Sequence, residues 1–180
     1  GQMPAQGASG PIPAPPVLPV PAVPGDRAMA QALARALPNF LVRQPWFGHG
    51  SRVITDVSIA DSIPLRPLLA AGVMAEVEFG TGEPQRYFLP VAGGTDGLSD
   101  PRVVSRLVRM ILGNERLNGS NGALFGAMTD RAPEAARAVR SLDPSAVRPL
   151  GAEQSNSSSV VDERAVLKVL RRVETGIHPE

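Results

Sequence analysis

The residues with the clearest chemical potential form a polar run followed by one lysine, in the last third of the chain. Residues 154 to 159 read Gln-Ser-Asn-Ser-Ser-Ser, a charged turn follows at 162–164, and only Lys168 interrupts the apolar run at 165–170. In an alternating strand Lys168 shares its face with Val166 and Leu170, so it points toward a partly apolar cleft. A lysine in that position predicts an anion as its partner.

A phosphate group suits this pattern. The backbone N–H groups and hydroxyls of a Ser/Asn loop can surround phosphate oxygens, while a lysine on the adjacent strand supplies a compact charge. Protein kinases use this logic, with a flexible loop over the nucleotide and a strand lysine on its phosphates. The glycine-rich motifs GxGxxG and GxxxxGK[ST] do not occur, so the residues alone leave open an ordinary edge strand with a solvated lysine. The candidate phosphate-binding residues are Gln154, Ser155, Asn156, Ser157, Ser158 and Lys168.

Several stretches resemble bacterial maltokinases. The start of the kinase portion of that family is similar to Glu153-Gln-Ser-Asn-Ser-Ser158, Glu163-Arg164, Val166-Leu-Lys168 and Arg171-Arg-Val-Glu174 followed by Gly176. The opening of the family's N-terminal cap is similar to Leu41-Val-Arg-Gln-Pro-Trp-Phe-Gly48 followed by Gly50-Ser-Arg52. Two departures lie in the cap: Pro45 stands where the family usually has a basic residue, and His49-Gly-Ser-Arg52 replaces a Gly-Lys-Gly-Arg run.

The resemblance implies a kinase related to the aminoglycoside phosphotransferases, which share the protein-kinase fold. It implies phosphorylation of maltose at its anomeric position, with ATP and Mg²⁺ as cofactors of the complete enzyme. Its implied partners are the remainder of the kinase, which is the missing C-terminal lobe, and a trehalose synthase that is fused upstream or associated. The catalytic aspartate and metal ligands of the family lie in the later lobe, so the resemblance implies no catalytic or metal-binding residue in this chain. The alternative, from another class, is a non-catalytic α+β interaction or assembly module.

Composition places broad limits on function. With 43% hydrophobic residues and a mean hydropathy of −0.01, the 180 residues suffice for one ordinary core. The formal charge of +1 gives no sign of a nucleic-acid partner. The chain has no cysteine, no long apolar run and no basic signal-peptide start, so we expect a cytoplasmic protein without a membrane partner.

The chain divides into three predicted parts. Residues 1–25 are uncharged and hold eight of the nineteen prolines, which predicts a mobile and dispensable polyproline II linker; a docking motif for an SH3-like partner is the alternative. Residues 26–145 correspond to the maltokinase-type cap, and 146–180 to the first strands of a truncated kinase-like N-lobe. Because Gly1 is not an initiator methionine, we expect a longer parent protein.

Hydrophobic periodicity predicts the fold class α+β, with a small antiparallel sheet covered by helices. One helix is predicted from Asp26 to Pro38 and another from Asp100-Pro101 to Gly113, with a short Ala-rich helix at 133–141. Strands are predicted at 53–59, 73–79, 86–89 and 123–129, the second and third forming a hairpin. Trp46 and Phe47 are interpreted as core rather than a sugar platform, and His49 as a turn residue. The arginines interpreted as a solvated helix face are Arg102, Arg106, Arg109 and Arg116.

Overall fold

The computed structural model describes residues 10–11, 14–130, 134, 137–153 and 155–176. Across these residues the architecture is α+β, which confirms the predicted fold class. The helices are α1 (Arg27–Leu41) and α2 (Pro101–Leu112). The strands are β1 (Ile54–Pro64), β2 (Ala70–Phe79), β3 (Gln85–Ala92), β4 (Thr95–Asp96), β5 (Arg116–Asn118), β6 (Ala123–Phe125), β7 (Val147–Glu153), β8 (Asn156–Val161), β9 (Ala165–Leu170) and β10 (Arg172–Val173).

Helix α1 covers one face of the main sheet, whose strand order is β1-β2-β3-β10. The Asp26 carboxylate accepts the Met29 N–H at 3.0 Å, which confirms Asp26 as the helix cap. The predicted end at Pro38 is wrong, because α1 continues to Leu41. Proline costs the helix one hydrogen bond, but Phe40 and Leu41 are buried in the core, and the burial of two large side chains outweighs that loss.

Strand β1 departs from simple alternation at two bulges. Its register with β2 shifts between Ile54 and Asp56 and again between Ile59 and Asp61. The strand predicted at 53–59 instead runs from Ile54 to Pro64; Val53 precedes it and is 71% exposed, whereas Ile54 packs against the core. An extra residue at a bulge reverses which side chains point inward, and a period of two cannot locate it.

The β2–β3 hairpin confirms the predicted alternation and return strand. Antiparallel pairing runs from Val77 opposite Gln85 to Ala70 opposite Ala92. The inward residues of β2 are buried, namely Val73, Ala75, Val77 and Phe79. They belong to the first core cluster, which α1 and the aromatic residues Trp46, Phe47 and Tyr87 complete. The prediction that Trp46 is a core residue is thus confirmed, since it is 2% exposed.

Helix α2 begins and ends where the sequence predicts. Asp100 is the N-cap, Pro101 is the first helical residue, and Gly113 is the C-cap. The apolar face of the helix is buried in a second core cluster, which contains Val103, Val104, Leu107, Val108 and Met110. This cluster joins the helix to the sheet that carries the candidate site.

We expect Asp100→Ala to lower the free energy of unfolding by about 1 kcal/mol. The substitution removes the oxygen that accepts the Arg102 N–H at 2.9 Å. Arg102→Ala is the matched control, because it removes the exposed ion pair with Asp100 and leaves the cap in place. We expect it to change stability by less than about 0.5 kcal/mol. Urea denaturation measures both, and equal losses would show that the cap contributes nothing.

The effect of Asp100→Ala should also depend on pH. The hydrogen bond from the Arg102 side chain lowers the pKa of Asp100, and partial burial opposes this. A carboxyl group with a lowered folded-state pKa stabilises the fold above its unfolded pKa, and this contribution is lost as pH falls through the folded pKa. The difference between the wild type and Asp100→Ala should therefore shrink in acid. A constant difference would contradict this assignment.

The third sheet has the order β7-β8-β9, with both pairs antiparallel. Its buried side contributes Val147 and Val161 to the second core cluster, where they meet α2. After β9 only Arg171 intervenes before β10, which pairs with β3 in the main sheet. One buried residue therefore links the two sheets. The predicted division between a cap and a kinase-like lobe at 145/146 stays a prediction.

The proline-rich segment does not remain free of the core. Leu18 is 1% exposed and belongs to the first core cluster, and Pro21 is buried beside it. The Leu18 N–H donates to the Gly94 carbonyl at 2.7 Å, and the Ser62 hydroxyl donates to the Pro21 carbonyl at 2.6 Å. The prediction of a mobile tether over residues 1–24 is therefore wrong for 18–21, because the apolar residues between the prolines pack against the sheet. Residues 1–9 and 12–13 lie outside the described residues.

Two shorter elements differ from their predictions in extent. The strand predicted at 123–129 is limited to Ala123–Phe125, which pairs with β5. The helix predicted at 133–141 falls partly outside the described residues. Among the residues that are described, none of the helices has the length and apolar character needed to cross a membrane.

Candidate functional site

The predicted polar loop is mostly a strand. The interpretation of 154–159 as a loop is wrong from Asn156 onward, because Asn156–Val161 forms β8, the central strand of the third sheet. Glu153 pairs with Asn156, so the connection from β7 to β8 has only two residues. Serine is tolerated here because β8 has strand partners on both edges and Ser159 and Val161 are buried. Gln154 lies outside the described residues.

Strand register divides the candidate residues between two faces. Ser158 lies directly opposite Lys168 on β9 and Gly151 on β7, so Ser158 and Lys168 share a face, together with Asn156 two positions along. Ser157 lies opposite Val169 and therefore points to the other side of the sheet. The structure thus brings Asn156, Ser158 and Lys168 together and separates Ser157 from them.

The face that carries Lys168 is open to solvent. Lys168 is exposed, and its neighbours on β9 alternate, with Val166 60% exposed and Leu167 partly buried toward α2. The candidate site is the part of this open face that carries Asn156, Ser158 and Lys168. Lys168 is the only lysine in the sequence, since every other basic side chain except the two histidines is an arginine. The compact ammonium of a lysine side chain therefore occurs at this one position in the sequence.

The turn between β7 and β8 is held by the aromatic region near α1. Ser155 adopts a left-handed backbone with φ of 65°, which is uncommon for a residue other than glycine. Its N–H donates to the Trp46 carbonyl at 3.1 Å, and its carbonyl accepts the Arg171 N–H at 2.8 Å. Both backbone groups of Ser155 are thus engaged within the protein, so its N–H is not available to a phosphate.

Arg171 is the buried centre of this region, and its spacing in the sequence predicts no role for it. The residue is 1% exposed, and its guanidinium binds both oxygens of Asp96, at 2.5 and 3.2 Å. Its Nε donates to the Ser157 hydroxyl at 3.0 Å, and its guanidinium carbon lies 4.3 Å from the centre of the Trp46 ring. Burial lowers the pKa of Arg171, and the adjacent Asp96 opposes that shift. The guanidinium stays charged, because arginine does not lose its proton in proteins.

Arg171 therefore explains the position of Ser157. The Ser157 hydroxyl, predicted to bind phosphate, instead accepts a hydrogen bond from a buried cation on the opposite side of the sheet from Lys168. The Trp46 indole N–H has no acceptor among the residues described, although the ring packs edge-on to Phe47. The sequence carries one signal for Arg171: it lies directly after the alternating apolar run at 165–170.

One of the four arginines predicted to be solvated is buried. Arg106 is 8% exposed and forms two hydrogen bonds with the Glu115 carboxylate and one with the Arg66 carbonyl. The prediction is wrong for Arg106, because the loop after α2 returns a carboxylate to this position on the helix. The bond to Arg106 lowers the pKa of Glu115. The other three arginines are exposed, as predicted.

The predicted turn residue His49 lies between Phe47, on which its ring stacks, and the turn at 50–51.

In the described ranges no three His, Cys, Asp or Glu side chains converge in a way that could hold a metal ion. No protein-family model matches the chain.

Proposed function

We propose that this chain is the N-terminal part of an ATP-dependent maltokinase, made up of the cap and the first three strands of the nucleotide-binding lobe. The observation that carries the proposal is the position of Lys168. It lies directly opposite Ser158, on the open face of a three-stranded sheet, near a two-residue turn. A hairpin followed by a strand with one lysine is the order in which a kinase N-lobe presents its phosphate-binding groups.

Three side chains of the open face would contact the nucleotide phosphates. The Lys168 ammonium supplies a charge-assisted hydrogen bond, while the Ser158 hydroxyl and the Asn156 amide supply neutral donors. Ser157 would not take part directly, because it is bonded to Arg171 on the other face. When bound, ATP supplies the transferable phosphoryl group, and Mg²⁺ from the complete site neutralises its charge.

The sharpest test of this site uses the single lysine. Lys168 is the one lysine of the 180 residues, so after acylation with an amine-selective reagent the peptide that contains it reports this side chain separately in mass spectrometry. In the complete protein we expect ATP, and not AMP, to slow acylation of Lys168, because the phosphates cover the ammonium. Ser158→Ala removes a second proposed phosphate contact and should weaken the protection. Equal acylation with and without ATP would contradict the proposed site.

Activity of the complete protein decides the substrate. We expect maltose-dependent ADP release and formation of maltose 1-phosphate, with glucosamine and glucose as comparison acceptors. An enzyme that consumes ATP with another of these sugars and not with maltose would keep the kinase proposal and replace the acceptor.

We expect the 180-residue chain by itself to transfer no phosphate from ATP to maltose. Phosphoryl transfer depends on positioning and on metal-borne charge stabilisation, and half of a cleft provides neither. A coupled assay for ADP measures this directly. Turnover that scales with the amount of chain and survives repurification would contradict the expectation.

A second function, a protein-interaction module, is favoured by the apolar residues on the third sheet. Val166 is 60% exposed and Leu150 is 52% exposed, and large exposed apolar side chains on a sheet suit a protein partner. In that case Val166→Asp should abolish partner binding, and ATP should not protect Lys168 from acylation. The acylation experiment therefore separates the two functions.

A further inference from the structure

The segment from Ala14 to Pro24 contacts the folded unit as a docked peptide does. Its residues belong to neither a helix nor a strand. Leu18 and Pro21 are buried, whereas Val17 is 76% exposed and Val23 is 62% exposed. Val20 also packs against the first core cluster, and the Ala22 N–H donates to the Val20 carbonyl at 2.9 Å, so the segment makes a tight turn at Pro21. The side of the segment that faces the core thus carries Leu18, Val20 and Pro21.

Among the described residues, two hydrogen bonds join the segment to the main sheet and the turn that follows it. Leu18 donates its N–H to Gly94, and Pro21 accepts the Ser62 hydroxyl. This combination, one apolar side chain in a slot and single hydrogen bonds to the backbone, is how grooves recognise proline-rich peptides. The prolines reduce the conformational freedom lost on docking, because their φ angles are already fixed.

The absence of a side chain at Gly94 lets the segment pass close to the sheet. A side chain on Gly94 would place its Cβ only 2.9 Å from the Val17 side chain, so the segment passes directly over this glycine. Gly93 also has a positive φ but has no atom within 4 Å of such a Cβ. At the other end Gly25 has a φ of 77° in the turn between the segment and α1, with open space around it.

We propose that the Leu18 slot, formed by the first core cluster and Gly94, is a recognition site for a proline-rich peptide, and that residues 14–24 of this chain occupy it as a ligand in cis. The slot is distinct from the open face of the third sheet, and this inference does not depend on the proposed kinase function.

The test begins with the folded full-length chain. A protease site inserted at Gly25 is cut after folding, and the cut protein is passed through size exclusion. We expect the N-terminal segment to remain bound and then to exchange with a fluorescent peptide of residues 14–24. The Trp46 fluorescence and near-ultraviolet circular dichroism should stay unchanged when the segment is displaced by competitor. Loss of these signals on release of the segment would overturn the proposal, because the segment would then be integral core.

Matched variants make the assay specific. In the peptide, Leu18→Ala should weaken binding on the order of 30-fold or more, as expected for loss of a buried leucine, whereas Val17→Ala should leave it within about twofold. In the protein, Gly94→Ala should weaken peptide binding and Gly93→Ala, which strains the same turn without touching the segment, should not. Equal binding of the Leu18→Ala and wild-type peptides, or equal effects of the two glycine variants, would overturn the proposal.

Discussion

In the proposed kinase, Lys168→Ala should lower kcat/KM for ATP by about a hundredfold or more, the loss typical of removing a group that stabilises charge in a transition state. The reason is the proposed contact between the Lys168 ammonium and the phosphates, which also orients the transferring group. The side chain is exposed on β9, so the free energy of unfolding should change by less than about 0.5 kcal/mol. Maltose binding should change less than ATP use, because the proposed contact of Lys168 is to the nucleotide phosphates.

Two further variants separate the loss of the ammonium from general damage to the strand. Lys168→Arg should not restore activity, because a planar guanidinium does not replace a compact ammonium at a phosphate. Val166→Ala, two residues away on the same face, is the control for nonspecific damage to β9 and should retain most activity. Steady-state kinetics with varied ATP at saturating maltose provides the measurement. Wild-type ATP kinetics for Lys168→Ala would refute the phosphate-binding role and leave the interaction module as the better explanation.

The elements that the sequence predicts correctly are those whose formation depends on residues close by in the chain. The caps at Asp26 and Asp100, the β2–β3 hairpin and the apolar face of α2 depend on neighbours within a few residues, so spacing alone indicates them. The position of Lys168 on an alternating strand was predictable for the same reason. Its partner Ser158 was not, because the run of serines has no hydrophobic period and its strand character comes from pairing on both edges.

The elements predicted wrongly depend on distant residues. Leu18 is buried in the first core cluster together with residues of α1 and the main sheet, and proline content indicates only the local conformation of its segment. Arg106 is buried because Glu115 returns to it after the helix ends. Arg171 depends on Asp96 and Trp46, which are far apart in the chain. A single sequence carries no signal that pairs such residues, so the centre of the region below the candidate site could not be predicted.

Arg171→Ala should lower the free energy of unfolding by about 3–5 kcal/mol, the loss measured when one partner of a buried ion pair is removed. The substitution leaves the Asp96 carboxylate, which is itself largely buried, without its bidentate cation. It also removes the cation that lies over the Trp46 ring and the donor to Ser157. Chemical denaturation of the 180-residue chain measures the change. A loss below about 1 kcal/mol would show that water replaces the guanidinium without cost.

The adjacent arginine is the control for charge alone. Arg172 is exposed and pairs with Glu174 at the surface, so Arg172→Ala should change stability by less than about 1 kcal/mol. The double variant Arg171→Met/Asp96→Asn should recover part of the loss, because it leaves no unpaired buried charge. The Ser155 carbonyl should keep its hydrogen bond to the N–H of residue 171 in every variant, because that bond joins backbone atoms. Changes in hydrogen exchange at Ser157 and Ser158 therefore report the loss of the Arg171 side chain. If Arg171→Ala leaves that exchange unchanged, the guanidinium stabilises the junction of the two sheets without positioning the strand that faces Lys168.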